Sequence, residues 1–223
     1  MITILVANIK EKISEEQLKI FETYLTSERV SKLKKFKFKE DYLRSLYGEI
    51  LVRYLVNKKF SISNSQIRIN YSEYGKPYIE NLKNFQFNIS HSGDWVVCAY
   101  GKENIGVDIE KIETAYLDIS EMYFSESEHR MLCEKSKNEQ NIYFYQLWTL
   151  KESYLKYIGK GLSVSLNSFS IIENNKKFYI KGLENNVILK QYKFNNDYII
   201  SVCSKEKCNN EIKKISMEYV SLI

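Results

Sequence analysis

Two carboxylates that could hold a hard metal ion stand two residues apart in an apolar segment, at Asp108 and Glu110. Side chains alternate along a β-strand, so both carboxylates would lie on one face while Ile109 points into the core. Adjacent carboxylates repel each other unless a cation neutralises them. Magnesium suits such oxygen ligands and takes one or two carboxylates together with substrate phosphates. An exposed polar face of an edge strand is the alternative interpretation.

A second pair of candidate residues lies on a helix that we predict from about residue 139 to 158, ended by Gly159. Glu152 and Lys156 are four residues apart and therefore share one face of this helix. Trp148 stands one turn before Glu152, where it could wall off a site. The alternative is an ordinary surface ion pair, which contributes only about 0.3–0.5 kcal/mol.

Residues 88–93 (NISHSG) form a third polar group, which we predict to be a loop that closes an apolar strand. Ser90 and His91 could belong to a hydrolase, but the sequence has no Gly-x-Ser-x-Gly turn. An anion-binding loop is the better interpretation, because hydroxyls, an imidazole and backbone N–H groups can hold a phosphate. A hydrogen-bonded structural histidine remains open. The Gly-rich motifs of nucleoside triphosphate and dinucleotide sites are absent from the sequence.

Positive charge is concentrated in the first half of the 223-residue chain. Residues 1–104 hold 17 basic and 12 acidic side chains, whereas residues 105–223 hold 16 of each, so the whole excess of +5 lies in the first half. Residues 29–39 contain Arg29, Lys32 and four further lysines without an acid, interleaved with Phe36 and Phe38. This run indicates an anionic partner, or else a solvated basic face.

Composition argues against several other classes of protein. Four cysteines at scattered spacings and only two histidines disfavour a structural zinc site. No apolar run approaches the ~20 residues of a membrane span, and the N-terminus lacks the basic segment of a signal peptide. We therefore expect a cytoplasmic protein with reduced thiols.

A mixture of helices and short strands must position these groups. We predict an N-terminal strand, a helix that starts at Ser14 and a long amphipathic helix over residues 39–58. Further strands are predicted near residues 67–71, 85–89, 95–100, 105–109, 168–173, 178–181, 187–194 and 198–203. Residues 95–100 and 105–109 read as a hairpin-like pair. The predicted fold class is α/β, of the α+β kind, with mostly antiparallel small sheets.

The motifs together resemble the signature of 4′-phosphopantetheinyl transferases. The paired signature consists of residues 106–110 (GVDIE) and 144–156 (FYQLWTLKESYLK). Residues 87–93 (FNISHSG), 74–77 (YGKP) and 159–162 (GKGL) match as well. The whole chain is similar to the long, surfactin-synthetase-activating type of this family.

This resemblance implies two similar α/β subdomains related by a pseudo-twofold axis, with coenzyme A in the cleft between them. Residues 1–104 would hold the phosphates and the nucleotide of coenzyme A. Residues 105–223 would carry the metal-binding carboxylates and the catalytic helix. A chain of this length should form one complete site as a monomer, with neither nucleic acid nor a membrane as partner.

The resemblance also implies roles for individual residues. Asp108, Glu110 and Glu152 would bind Mg²⁺, Glu152 would act as general base, and Lys156 would neutralise charge on the leaving group. The remaining matched positions would bind coenzyme A: Arg29, Lys32, Ser45, Gly75, Lys76, Pro77, Ser90, His91 and Lys151. Arg29 replaces a lysine that the family pattern leads us to expect.

The implied reaction transfers the 4′-phosphopantetheine arm of coenzyme A to a serine of an apo carrier protein and releases 3′,5′-ADP. An apolar stretch at residues 117–124 could dock the carrier or belong to the core. Two other functions stay open: a Mg²⁺-dependent phosphohydrolase, and a nucleic-acid-binding module that uses the basic run at residues 29–39. The sequence leaves open which carrier protein is served.

Overall fold

The computed structural model describes residues 1–183 and 187–222. Within them, each half of the chain repeats one order of elements: a strand, three α-helices and then four strands. The first half contains β1 (Ile2–Asn8), α1 (Glu15–Thr23), α2 (Ser27–Leu33), α3 (Lys39–Phe60), β2 (Ile69–Tyr71), β3 (Pro77–Ile79), β4 (Gln86–Ser92) and β5 (Trp95–Gly101). The second contains β6 (Ile105–Lys111), α4 (Leu117–Tyr123), α5 (Glu126–Cys133), α6 (Lys137–Ile158), β7 (Ile171–Asn174), β8 (Lys177–Ile180), β9 (Ile188–Phe194), β10 (Tyr198–Ser204) and a final β11 (Cys208–Lys214). The prediction of two similar α/β halves is confirmed.

The strands form one sheet from each half. The first sheet has the order β11-β1-β5-β4 and the second β6-β10-β9-β8-β7, while β2 and β3 pair as a separate hairpin. The predicted hairpin of β5 with β6 is wrong, because these strands lie in different sheets and the short connection carries the chain from one to the other. Both strands are buried and apolar, so their sequences do not distinguish one neighbour from another.

Strand β11 was not predicted, and it crosses back to the first half. It pairs in parallel with β1, whereas the other strand pairs are antiparallel in the part of the chain that the structure describes. Its sequence, CNNEIKK, is mostly polar and half-exposed at the sheet edge, so it lacks the apolar alternation that identifies a strand. The C-terminal segment therefore ties the second half to the first sheet.

The two sheets share an apolar layer that joins the halves. In β5, Val97 and Ala99 face this layer, while Val96 and Cys98 face α3 on the other side of the sheet. In β6, Ile105, Val107 and Ile109 enter the same shared layer. The alternation of a strand then points the intervening residues of β6 towards α6. Ile109 is fully buried, as the sequence predicted.

Two 22-residue helices, α3 and α6, cover the outer faces of the sheets. Helix α6 begins at a capping box made by Ser136 and Glu139 and ends where Gly159 adopts a left-handed φ of 73°. Within the described ranges, no helix is both long and apolar enough to cross a bilayer.

Helix α6 approaches β6 so closely that only a glycine fits between them. A β-carbon at Gly106 would lie 1.9 Å from the carbonyl oxygen of Ser153 and 2.3 Å from the backbone nitrogen of Tyr157. Both of these atoms belong to the backbone and cannot rotate away. The glycine of the GVDIE motif therefore sets the distance between the strand that carries Asp108 and the helix that carries Glu152.

We predict that Gly106→Ala lowers the free energy of unfolding by about 3 kcal/mol, the upper end of the usual cost of overpacking. The control is Gly48→Ala inside α3, where the nearest atoms to an added β-carbon belong to the side chains of Ile89 and Val96, at 3.0–3.7 Å. These side chains need to move by only a few tenths of an ångström and alanine favours the helix, so the control should lose no more than about 1 kcal/mol. Urea denaturation measures both variants, and equal losses would contradict the role of the backbone contact.

Candidate active site

Side chains of β4 join the two halves of the chain through hydrogen bonds to β6. Three of them make hydrogen bonds to β6: Asn88 Oδ1 accepts from the Val107 N–H (2.9 Å), Ser90 Oγ donates to Asp108 Oδ1 (2.8 Å) and Ser92 Oγ donates to Glu110 Oε2 (2.7 Å). These three residues alternate along the strand and therefore point to one side. Residues 88–92 were predicted to be a loop, but they belong to β4, and only Gly93 and Asp94 form the turn.

We call this contact between β4 and β6 the seam, and an ion pair between Lys156 and Asp108 lies at its centre. Lys156 Nζ is 2.6 Å from Asp108 Oδ1 and 2.9 Å from Ser90 Oγ. Because Ser90 donates its single hydroxyl proton to Asp108, it accepts one of the three protons of Lys156. Asp108 is 3% exposed, and its second oxygen, Oδ2, has no hydrogen-bond partner among the residues that the structure describes. A buried carboxylate oxygen without a partner is costly, so this site needs a further positive or donor group.

Negative charge accumulates around Asp108. Burial, followed by the charge of Asp108, raises the pKa of Glu110 to about 7, against the opposing effects of Ser92 and Lys156. Burial, and then Asp108, also raises the pKa of Glu152, and Lys156 opposes this shift. One ammonium therefore does not compensate three neighbouring carboxylates.

The three predicted metal ligands do not form a closed cage. Across residues 1–183 and 187–222, no three His, Cys, Asp or Glu side chains converge closely enough to hold an ion. Magnesium, however, usually takes only one or two protein carboxylates and completes its shell with phosphate oxygens and water. The unpartnered Oδ2 of Asp108 and the negative charge around it are compatible with an ion bound in that way. They are not compatible with an ion whose whole coordination shell comes from protein side chains.

A groove leads away from these carboxylates across the first half. It consists of three adjoining cavities of about 310, 220 and 340 Å³, whose neighbours share lining residues. The first cavity contains Glu152 and Lys156, and the second contains Arg44, Ser45 and His91. The third is lined by four cations and two carboxylates: Arg29, Lys32, Arg53, Arg68, Glu28 and Glu49. The groove thus runs from a carboxylate cluster to a positively charged end, and it suits a long anionic ligand.

Arg29 is held in place by side chains of α3. Its Nε donates to Glu49 (2.8 Å) and its Nη2 donates to Ser45 Oγ (2.9 Å). Glu49 is buried and also accepts two hydrogen bonds from Arg53, so two guanidinium groups surround one carboxylate. This forked contact requires a guanidinium, because a lysine ammonium does not match two acceptors in one plane.

The rest of the basic run is divided between the groove and solvent. Lys32 lines the groove but is exposed and paired with Glu28. Lys34 forms an ion pair with Glu22, on a surface away from the third cavity. Phe36 is 47% exposed and Phe38 is 58% exposed. Only Arg29 and Lys32 of this run line the groove.

Gly75, Lys76, Pro77 and His91 also line the groove, but the ammonium group of Lys76 is bonded to the second half. Its Nζ donates to the carbonyl oxygens of Ile105, Lys156 and Tyr157 at 2.7–3.3 Å. A cation at these carbonyls stabilises the C-terminus of α6. Burial lowers the pKa of Lys76 to about 8. The observed contacts of Lys76 therefore fasten the two halves together.

Lys151 does not lie in the groove, which corrects its predicted placement. The residue is fully buried inside the second half. Its Nζ is 2.8 Å from Glu128 Oε2 and donates to the carbonyl oxygens of Leu166 and Phe169. Residue 151 is 100° away from residue 152 around the helix, and this rotation takes the ammonium into the core instead of the cleft.

Several residues that shape the site were missed. Arg44 donates to the carbonyl of Gly93 (2.7 Å) beside the seam, and Ser92 holds Glu110. The alternation of residues 88, 90 and 92 could have revealed Ser92, had the segment been recognised as a strand. Glu49 gave no such signal, because its partner Arg29 is 20 residues away in the chain.

We predict that Lys151→Met destabilises the protein by about 3–5 kcal/mol, because Glu128 would remain buried as an unpaired charge. Lys151→Met/Glu128→Gln should be more stable than Lys151→Met alone, since the amide keeps an oxygen for the Ile171 N–H. The control is Lys137→Met at the exposed start of α6. Denaturant titration measures all three, and a loss below 1 kcal/mol in Lys151→Met would contradict the buried pair.

Comparison with known proteins gives one family over most of the chain. The family model "4′-phosphopantetheinyl transferase, N-terminal" matches residues 12–103, and "4′-phosphopantetheinyl transferase superfamily" matches residues 104–203. The chain is 38% identical to 4′-phosphopantetheinyl transferase Sfp of Bacillus subtilis (strain 168), over 86% of this chain and 87% of the relative. It is 34% identical to 4′-phosphopantetheinyl transferase gsp of Aneurinibacillus migulanus, over 92% and 86% respectively. The two family models cover most of the chain, and it therefore belongs to the 4′-phosphopantetheinyl transferase superfamily.

Proposed function

We propose that this enzyme transfers the 4′-phosphopantetheine arm of coenzyme A to a serine of an apo carrier protein and releases 3′,5′-ADP. The observation that carries the proposal is the meeting, at one seam, of a carboxylate cluster from the second half with a cationic groove from the first. A single chain supplies both sides of this seam. A monomer therefore contains one complete site.

The groove suits the charge pattern of coenzyme A. The pyrophosphate of the coenzyme lies beside Lys156, whose ammonium has one proton left after its bonds to Asp108 and Ser90. The nucleotide and its 3′-phosphate extend towards His91 and Arg29. Cations along this path neutralise the phosphates in turn. Ser90 acts by holding Asp108 and Lys156 together, and Ser45 acts by orienting Arg29.

Asp108, Glu110 and Glu152 are the residues that would hold Mg²⁺ against the pyrophosphate. A bound Mg²⁺ supplies charge neutralisation at the phosphate oxygens. The unpartnered Oδ2 of Asp108 supports this assignment, as does the excess of negative charge around it.

Glu152 is proposed as the general base for the serine hydroxyl, a poor nucleophile in its protonated form. The hydroxyl proton passes to Glu152 while the serine oxygen bonds to the β-phosphorus and the bond to the 3′,5′-ADP oxygen breaks. Glu152 lines the first cavity together with Lys156, where the serine would reach the pyrophosphate. Lys156 balances the charge that develops on the departing 3′,5′-ADP.

The carrier protein would dock beside this cluster, on α4. Leu117, Met122 and Tyr123 are apolar side chains of this helix that are 38%, 64% and 42% exposed. Phe124 is buried in the core of the second half, and Ile119 is packed against it. The docking face is therefore smaller than the apolar stretch in the sequence.

The direct test is to incubate the protein with coenzyme A, Mg²⁺ and an apo carrier protein, and to weigh the carrier by mass spectrometry. The carrier should gain one phosphopantetheine group while 3′,5′-ADP accumulates. Consumption of coenzyme A without a gain of mass would instead establish a phosphohydrolase. Testing fatty-acid, polyketide and nonribosomal-peptide carriers in parallel identifies which is served.

We predict that Glu152→Gln lowers the transfer rate by about 10²–10⁴-fold, the usual contribution of a general base. Coenzyme A should still bind, which isothermal titration calorimetry measures. The control is Glu139→Gln on the same helix, because glutamine also fits a capping box. Full activity of Glu152→Gln would remove Glu152 from the base role.

We predict that Asp108→Asn weakens metal binding at least tenfold in the presence of coenzyme A. The amide keeps an acceptor for Ser90 and Lys156, but it loses the charge that a cation requires. Electron paramagnetic resonance of Mn²⁺ measures free and bound metal, and the exposed Asp118→Asn serves as control. Equal Mn²⁺ affinity in Asp108→Asn and the unmodified protein would refute the ligand assignment.

A further inference from the structure

A cysteine, a histidine and a serine lie in line on α4 and α5, outside the cleft. Cys133 is the last residue of α5 and is exposed, and His129 precedes it by one turn. The Cys133 Sγ is 3.5 Å from His129 Nε2, and His129 Nδ1 is 2.8 Å from Ser120 Oγ on α4. A nucleophile, a base and a group that orients the base are the parts of an activated thiol.

The protons of this cluster follow from its contacts. Ser120 is fully buried, and its Oγ is 2.7 Å from the carbonyl oxygen of Leu117, a distance that requires the hydroxyl proton between them. Ser120 therefore accepts the second hydrogen bond, and His129 Nδ1 carries the proton that is donated to it. Neutral His129 is then unprotonated at Nε2, the atom that faces the thiol of Cys133.

We propose that Cys133 is a thiol modification site that exchanges with small disulfides, with His129 as its general base. Cys133 sulfur attacks one sulfur of the disulfide, and its proton passes to His129 Nε2. The sulfur–sulfur bond breaks as a mixed disulfide forms on Cys133. His129 returns the proton to the departing thiolate, so one thiol and one disulfide are consumed and one of each is produced.

The Cys133 Sγ faces His129 Nε2 directly, so the imidazole can take the thiol proton as the sulfur attacks. This contact makes the rate depend on His129 and not on exposure alone.

The other cysteines provide internal comparisons. Cys98 and Cys203 are fully buried, and burial raises the pKa of both thiols. Cys208 is half-buried, and burial raises the pKa of its thiol to about 11. Modification of the folded protein should therefore begin at Cys133, well before Cys208.

The test is to react the folded protein with hydroxyethyl disulfide, an uncharged reagent, and to follow each cysteine by peptide mass mapping. We expect His129→Gln to slow modification of Cys133 by about tenfold or more at pH 7, because only a few per cent of an unassisted thiol is ionised there. Ser120→Ala should slow it several-fold by releasing the orientation of His129. The rate at Cys208 should stay the same in both variants.

Continued protection of Cys98 and Cys203 shows that a variant has kept its fold. If Cys133 reacts as fast in folded His129→Gln as in the unmodified protein, exposure alone explains its reactivity and the proposal fails. A Cys133 rate no higher than that of Cys208 would also overturn it. If His129→Gln exposes the buried thiols, Ser120→Ala decides, because an unchanged Cys133 rate there rejects the oriented base.

Discussion

The backbones of α6 and β6 touch at Gly106, and the geometry of the cleft depends on that contact. Strand β6 carries two carboxylates on the face turned to the helix, and α6 carries a carboxylate and an ammonium on the facing side. A longer separation would leave Lys156 too far from Asp108 for the 2.6 Å contact. The shared apolar layer behind β6 prevents the strand from receding, since Ile105, Val107 and Ile109 are fully buried there. Apolar packing on one face of β6 thus fixes the positions of the carboxylates on its other face.

The seam between the halves is polar where β4 meets β6, and this explains how one chain assembles a composite site. Hydroxyls of Ser90 and Ser92 bind the carboxylates of β6, and Lys76 reaches across to the last carbonyls of α6. The polar side-chain groups at this seam have hydrogen-bond partners, apart from the second oxygen of Asp108, which has none in the described part of the chain. That oxygen marks where the site remains electrostatically incomplete and supports the proposed cation.

The ion pairs made by the two lysines of α6, Lys151 and Lys156, have different consequences. Lys151 and Glu128 are fully enclosed and satisfied by protein groups, so they contribute to packing and leave nothing to bind a ligand. Lys156 is partly exposed and keeps a free proton beside Asp108. Both lysines lie in one family motif, and the sequence placed both at the coenzyme A site. Their directions around the helix separate a lysine buried in the core from one that lines the groove.

The sequence by itself determined the fold class, the two long helices and the glycine that ends α6, because these depend on local periodicity and on turn residues such as Gly159. It also located the excess positive charge in the first half. Tertiary structure decided the partners of each strand, the burial of Lys151 and the hydrogen bonds of Ser90. Contacts between residues far apart in the chain, such as Arg29 with Glu49, leave no local pattern, because they arise only after packing brings separate elements together.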